Sequence, residues 1–438
     1  MKNIGLKEVT QNYLQALIFL FLGLLLLLFT GVPIFSALIV YGGAILLVVQ
    51  GNLGSVASVI FSDMNQYLLV AIPLFAFMAH IMIRGKVVDD LYSAAYTFTR
   101  HLPGGLAIAT ILACTVFAAI SGSSVATALT IGAVAIPQMI RYGYPPHLAY
   151  GAVAAGGTLG ILIPPSSPLI LYGLTTDASI GGLFAAGIIP GLIMALVLMA
   201  WAVIRSDKSM ARDKRASMPE LMNAFRKSIW SIILPVFVLG GMYAGLFTAT
   251  EAAAVGVWLA LLIVFFVYRN TNLKAVWESA QEACLLSAML FMILAGASVF
   301  SHVLTKLNIP QQIVEQLITA EFSAFTFVIV MMLIVLVLGM FLEAVAIILV
   351  VTPVVLPAMI QLGIDPIWYG ILLVINLEIA MITPPVGMNL FTVKAITNAK
   401  MAPIIKGSVP YVLLMALVLT LILFVPELAT WLPTTMKN

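Results

Sequence analysis

Two short stretches carry the residue types that could do chemistry. Ser121-Gly122-Ser123-Ser124 interrupts an apolar run from about Leu106 to Ile140, and Ile161-Leu162-Ile163-Pro164-Pro165-Ser166-Ser167-Pro168 interrupts the next one. A helix in lipid must satisfy its own backbone, so small polar residues and paired prolines inside hydrophobic segments predict two broken helices. Pro164 and Pro165 donate no N–H, and their rings crowd the carbonyls of Gly160 and Ile161 four residues back. Freed carbonyls beside seryl hydroxyls make an oxygen-lined pocket at membrane depth. Such oxygens hold hard cations such as Na⁺, and nearby helix N-termini favour anions.

The arrangement occurs twice. Sliding the chain by about 220 residues aligns Pro137 with Pro357, Gly143 with Gly363, Pro146 with Pro366, and Pro164-Pro165 with Pro384-Pro385. Apolar matches such as Val125/Val345 and Leu129/Leu349 mean little in a chain this greasy. Four proline matches at one offset, roughly half the chain length, predict two homologous halves, as in many secondary transporters.

The elements that must position these stretches are membrane helices. The chain is 63% hydrophobic and 8% charged, against roughly a quarter charged in soluble proteins. Successive apolar runs of about 20 residues fit a bilayer. Lys2 and Lys7 precede an apolar run from Tyr13 to Phe29. No cleavage site follows it, and Gly31-Val32-Pro33 leads into a second span ending near Gln50, so it reads as a helix rather than a signal peptide. Further spans are expected at Gln66–Arg84, Ile180–Ile204, Lys227–Phe247, Glu251–Tyr268, Ala280–Leu304 and Ile404–Phe424. The interrupted regions lie between them, Leu106–Ile140 with Leu148–Thr176 and Phe325–Ile360 with Trp368–Val393. Each reads as a re-entrant hairpin followed by a broken spanning helix. Hairpin arms of about 17 residues reach roughly 25 Å, nearly a bilayer core, so length alone also permits two full spans with a tight turn.

Charge chooses between them. With both hairpins re-entrant and the N-terminus outside, every Lys and Arg except Lys2, Lys7, Lys306 and Lys437 falls on the cytoplasmic side. Each half then crosses five times and the second is inverted. The expected fold is thus an all-α polytopic membrane protein with two inverted-topology repeats. The first covers residues 1–204, with a hairpin at about 104–141 and a broken helix at about 146–176. A cytoplasmic linker follows at 205–226. The second repeat covers 227–438, with a hairpin at about 322–361 and a broken helix at about 366–398. Val87 to Phe98 and Ile309 to Ile318 are amphipathic at helical spacing and fit the interface plane. Cys114 and Cys284 read as free buried thiols. The absence of zinc spacing or a Walker loop argues against a metal centre and against ATP hydrolysis by this chain.

"SGSSVATALTIGAVAIPQM" from Ser121, "GGTLGILIPPSSPLILYG" from Gly156, "TEAAAVG" from Thr250 and "NLEIAMITPPVGMNLF" from Asn376 resemble the large membrane subunit of tripartite ATP-independent periplasmic (TRAP) transporters. The resemblance runs over essentially the whole chain, and the first-half motif leans toward the sialic acid type. It implies Na⁺-driven import of an organic acid, a sialic acid or a dicarboxylate, across the bacterial inner membrane. It implies as partners a small four-helix membrane subunit and a periplasmic solute-binding protein, and an elevator-like motion. No nucleotide and no nucleic acid is expected to take part.

On this reading the first sodium site uses Ser121, Gly122 and Ser123 with backbone oxygens of Gly160, Ile161 and Pro164, and Ser166 nearby. By symmetry a second uses Glu343 and its neighbours with Ala380, Met381, Thr383 and Gly387. Ser123, Ser124, Thr158, Ser167 and Asn389 are the expected substrate partners. The serines could equally be helix-packing residues. Glu343, in place of Ser123, could ligand an ion, carry a proton or hold the hairpin tip by accepting backbone N–H bonds. Glu378, in place of Thr158, reads as a structural brace, and Glu251 as a capping partner of Thr250. No arginine falls at membrane depth, so dipoles and bound Na⁺ must offset an anionic cargo. Two rivals remain: a stand-alone Na⁺/carboxylate carrier without a binding protein, and an intramembrane serine protease pairing Ser123 with a histidine such as His147.

Overall fold

The computed structural model describes residues 22–206, 213–319 and 321–436. The expected N-terminal lysines, most of the first span, Arg212 and Lys437 lie outside the described residues. Within them the regular structure is helical throughout, and nine helices are long and apolar enough to cross a membrane. The protein is a multi-pass membrane protein. A helix over 22–29 and Ile34–Gln50 open the described chain; Val56–Met64 and a tight turn at Tyr67–Val70 lead into Ala71–Arg84. Val56–Met64 follows no pattern the sequence made visible. The two amphipathic segments are helices, Val87–Thr99 and Ile309–Thr319.

Three expectations are corrected. The helix expected at Lys227 begins at Met218, because Ser217 and Glu220 close a reciprocal capping box that satisfies its first amides. Glu251 caps with Thr248, not Thr250: the Thr248 N–H donates to Glu251 at 2.9 Å and the Glu251 N–H donates back at 3.3 Å. Thr250 is buried instead, its hydroxyl unpaired among the described residues. Cys284 is exposed on the outer face of its helix, while Cys114 is buried.

Two helices form the centre. Every residue from Ala149 to Leu162 in Pro146–Leu162, and from Tyr369 to Met381 in Pro366–Met381, is buried. In Pro146–Leu162, rich in Gly and Ala, small residues permit this, because close helix approach in a membrane rests on backbone contact. A side chain at Gly151 would collide with the Gly407 carbonyl, and one at Gly407 with that of His147. Outward faces carry exposed Leu192, Leu196, Trp258, Phe266, Leu413 and Phe424, the surface expected against lipid.

Each central helix is flanked by a helical hairpin. The first has arms Gly105–Ser121 and Ser124–Arg141, the second Ala324–Gly339 and Ala344–Gln361. The halves exchange contacts reciprocally: Ala344–Gln361 packs on Ser167–Thr176, and Met388–Thr397 on Ser124–Arg141. The linker is pinned as well. Asp213 accepts hydrogen bonds from Tyr96 and, at 3.5 Å, from Tyr142, and Arg100 donates to the Lys214 carbonyl at 2.9 Å and to Glu220 at 2.8 Å. Burial and the neighbouring Asp213 carboxylate push the Tyr96 phenol well above its ordinary range.

Candidate functional site

The first hairpin reverses at Gly122 and Ser123. Gly122 has φ +58°, a left-handed conformation that favours glycine. Ser123 is extended, and its hydroxyl caps the returning arm by accepting from the Ala126 N–H at 3.4 Å. Ser121 Oγ pairs with Thr127 Oγ1 at 2.7 Å, and Thr127 donates to the Ser123 carbonyl at 2.8 Å. Thr127 was missed by sequence reasoning, although its spacing of four residues from Ser123 places it one turn along the same helix. The tip sits directly on the break in the next helix. A Cβ on Gly160 would strike the Ser123 backbone, and one on Gly122 would strike the Pro165 carbonyl.

That helix stops at Leu162 and resumes at Ser167. Ser166 caps the resumed segment, accepting from Leu169 N–H at 3.4 Å while donating to the Ile161 carbonyl at 2.5 Å. The Ile161 carbonyl carries one hydroxyl donor and keeps a further lone pair, because Pro165 has no N–H to give it, whereas the Ser123 carbonyl already accepts from the Thr127 hydroxyl, the Thr127 N–H and the Ser121 hydroxyl. Ser121, Ser123 and Ser167 are half-buried; Gly122, Ser124, Thr158, Gly160, Ile161, Pro164 and Ser166 are buried. The structure thus brings Ser121, Gly122 and Ser123 against Gly160 and the Ile161–Ser166 break.

In the second half the tip occupies Met340 to Glu343, and the helix Pro366–Met381 resumes as Met388–Thr397. Again tip and break touch: the Gly387 N–H donates to the Met340 carbonyl at 3.4 Å, with Gly387 at φ +58°. Ala380 accepts from the Thr383 N–H at 3.1 Å, and Thr383 Oγ1 donates to Ile379 O at 2.6 Å. Both paired prolines, Pro164-Pro165 and Pro384-Pro385, are joined by cis peptide bonds. Glu343 takes the N-cap position held by Ser123, half-buried, with its carboxyl near the Val345 amide but no closed cap bond. Glu378 is fully buried and neither oxygen meets a protein donor among the described residues, so no brace partner is in place.

The expected substrate partners are not all free. Thr158 donates to Ala155 O at 2.8 Å. Asn389 crosses between the halves and donates to Ser124 Oγ at 2.8 Å and to Ala154 O at 3.0 Å. A second bond between halves joins Tyr172 Oη to the Pro366 carbonyl at 2.7 Å. Beside these helices a cavity of about 230 Å³ is lined by Asp63, Gln66, Thr175, Ser298, Ser301 and Leu349. None of these is among the site residues expected from the sequence.

Among the described residues no group of three or more His, Cys, Asp and Glu could hold a metal ion. His80 is engaged elsewhere, 2.9 Å from Glu282 in a group that includes Arg84 and Glu278. His147 opens the helix whose far end holds Gly160 and the Ser123 tip. Thirteen residues of helix separate the two by about 20 Å, so Ser123 and His147 cannot act as a nucleophile and base.

Residues 21–428 match the family described as "Tripartite ATP-independent periplasmic transporter, DctM component". The chain is similar to a C4-dicarboxylate TRAP transporter large permease protein of Pseudomonas aeruginosa, 40% identical over 89% of this chain and 91% of that one. The Vibrio cholerae protein of the same description is 38% identical, with the same coverages. An isethionate TRAP transporter permease protein DctMQ of Oleidesulfovibrio alaskensis is 36% identical over 95% of this chain, but the match spans only 66% of that longer protein. In fold the chain resembles the Alcanivorax borkumensis YdaH transporter, with TM-score 0.63, 16% identity, and coverage of 85% and 87%.

The contact at Gly160 gives a direct test of how the tip is seated. With Cys284 replaced by alanine and Ser123→Cys as reporter, Gly160→Ala should raise the thiol labelling rate several-fold, because the added methyl displaces the tip. Gly240→Ala, at a glycine with nothing within 4 Å, should leave it unchanged. Equal rates in both variants would mean that this contact does not hold the tip down.

Proposed function

The chain belongs to the DctM component of the tripartite ATP-independent periplasmic transporters, and we propose that it is a sodium-coupled importer of an organic acid handed over by a periplasmic solute-binding protein. The observation that carries this reading is the repeated seating of a hairpin tip on a helix break, Gly122 on Pro165 and Met340 on Gly387. Each seat gathers backbone oxygens at membrane depth, the ligand set of a dehydrated monovalent cation. The first sodium site is Ser121, Gly122 and Ser123 with Gly160, Ile161, Pro164 and Ser166. The second is Glu343 with Ala380, Met381, Thr383 and Gly387. The cargo would sit between the tips, near Ser123, Ser124, Thr158 and Ser167.

A dicarboxylate is favoured over a sialic acid by the descriptions of the similar permeases. The partners are the binding protein and a small four-helix membrane subunit. The latter is supported by the extra length of the DctMQ protein beyond the matched region. The ties through Asn389 and Tyr172 suit movement of both hairpins and both broken helices as one body in an elevator-like cycle. The protein is assigned to the bacterial inner membrane with both termini periplasmic and the linker cytoplasmic. A cysteine in 213–217 should resist an impermeant reagent in intact cells, and efficient labelling there would overturn this orientation.

Two sites imply at least two sodium ions per cargo. A tenfold gradient supplies about 1.4 kcal/mol per ion and 100 mV about 2.3 kcal/mol per charge. Two ions entering with a dianionic dicarboxylate move no net charge and leave about 2.8 kcal/mol, roughly hundredfold accumulation, whereas two ions with a monovalent acid would leave roughly 5 kcal/mol. Uptake into proteoliposomes should be sigmoidal in sodium, with a Hill coefficient above one, and faster with the inside negative wherever the sodium charge entering exceeds the charge on the cargo. It should require the small subunit and the binding protein. Uptake by this chain alone would favour the stand-alone carrier. Hyperbolic sodium dependence would sink the two-site reading.

A further inference from the structure

Asn389 is fully buried, at the start of the second-half helix Met388–Thr397, yet its side chain reaches into the first half. Its Nδ2 donates to Ser124 Oγ and to the Ala154 carbonyl. A primary amide has two N–H donors, and both are engaged. Flipping the amide would set Oδ1 against the Ala154 carbonyl, acceptor facing acceptor, so the orientation is fixed. The Oδ1 atom is buried and meets no donor among the described residues. A buried amide oxygen without a partner loses its hydration and gains nothing in return.

These facts remove one role and leave another. Asn389 has no N–H left to offer a carboxylate. What it presents is a fixed acceptor, closed off from an organic molecule of many atoms unless the helices separate. A dehydrated cation is a single atom, and carbonyl-type oxygens are its ligands. The amide is anchored on Ser124, one residue from the tip that packs on Gly160. We propose that Asn389 Oδ1 is a sodium ligand contributed by the second half to the ion site at the first hairpin tip, so that occupancy of that site ties the halves together. This rests on the sodium-coupled reading above and adds a residue that the symmetry of the repeats does not supply.

The test uses the full chain in detergent without cargo, so that a cargo role cannot contribute. Thermal stability is followed against NaCl, with choline chloride keeping ionic strength constant, since a ligand that binds the native state stabilises it in proportion to occupancy. Asn389→Ala removes the oxygen and both donors; Asn389→Asp keeps an acceptor and loses the donors. A sodium ligand predicts that Asn389→Ala weakens apparent sodium affinity by about tenfold, while Asn389→Asp keeps it within about threefold. Wild-type affinity in Asn389→Ala would overturn the proposal. Equal loss in both variants would also overturn it, because the donors holding Ser124 and Ala154 would then be what matters. Should Asn389→Ala not fold, Asn389→Ser against Asn389→Asp gives the same comparison. A wild-type chain that ignores sodium would instead defeat the sodium reading itself.

Discussion

Backbone hydrogen bonding in a medium without water constrains the rest of this structure. A helix interrupted inside hydrocarbon leaves carbonyls and amides that only protein or a bound ion can satisfy. The two central helices are interrupted at Pro164-Pro165 and Pro384-Pro385, and each interruption is covered by the tip of a hairpin. Covering requires close approach, and close approach requires Gly122, Gly160 and Gly387 where any side chain would collide or strain. The hydroxyls of Ser121, Thr127 and Ser166 then take up part of the exposed backbone. The lone pair left over on the Ile161 carbonyl is open to a cation.

Burial follows from the same constraint. Because Pro146–Leu162 and Pro366–Met381 carry the breaks, they are enclosed by other helices, which leaves their outer neighbours to face lipid. Reciprocal packing across the halves, with Tyr172 bonded to Pro366 and Asn389 to Ser124, brings the two breaks into one assembly. No arginine lies in either hairpin tip or either helix break. On the proposed reading, a carboxylate brought between the tips would meet helix N-termini and bound cations rather than a fixed guanidinium, so cargo affinity would follow ion occupancy.

Most of the architecture was readable from residues whose physical consequence is local. Paired prolines announce a break wherever they fall in an apolar run, and Ser-Gly-Ser-Ser announces a turn. Other features were misread or depended on tertiary packing. A capping box needs its acid three residues after the hydroxyl, a spacing that Thr248 has with Glu251 and Thr250 lacks, so this cap was legible in the sequence. Lys227 looked like the edge of a span because charge marks a boundary, whereas the capping box at Ser217 extends the helix beyond it. Cys284 was placed inside because its neighbours are apolar, yet an apolar residue in a membrane protein is as well placed against lipid as in the core. Asn389 was recognised as a site residue. Both its N–H groups are engaged, and this could not be read because a side chain's remaining hydrogen-bond capacity depends on partners far away in sequence.

The central claim is that each tip-on-break contact holds a sodium ion. Equilibrium binding of ²²Na⁺ to the purified chain, counted per molecule at saturation, tests it without reference to cargo or partner. Two repeats of the same geometry predict at least two ions per chain. Saturation at one ion, or binding no stronger than that of potassium, would contradict it.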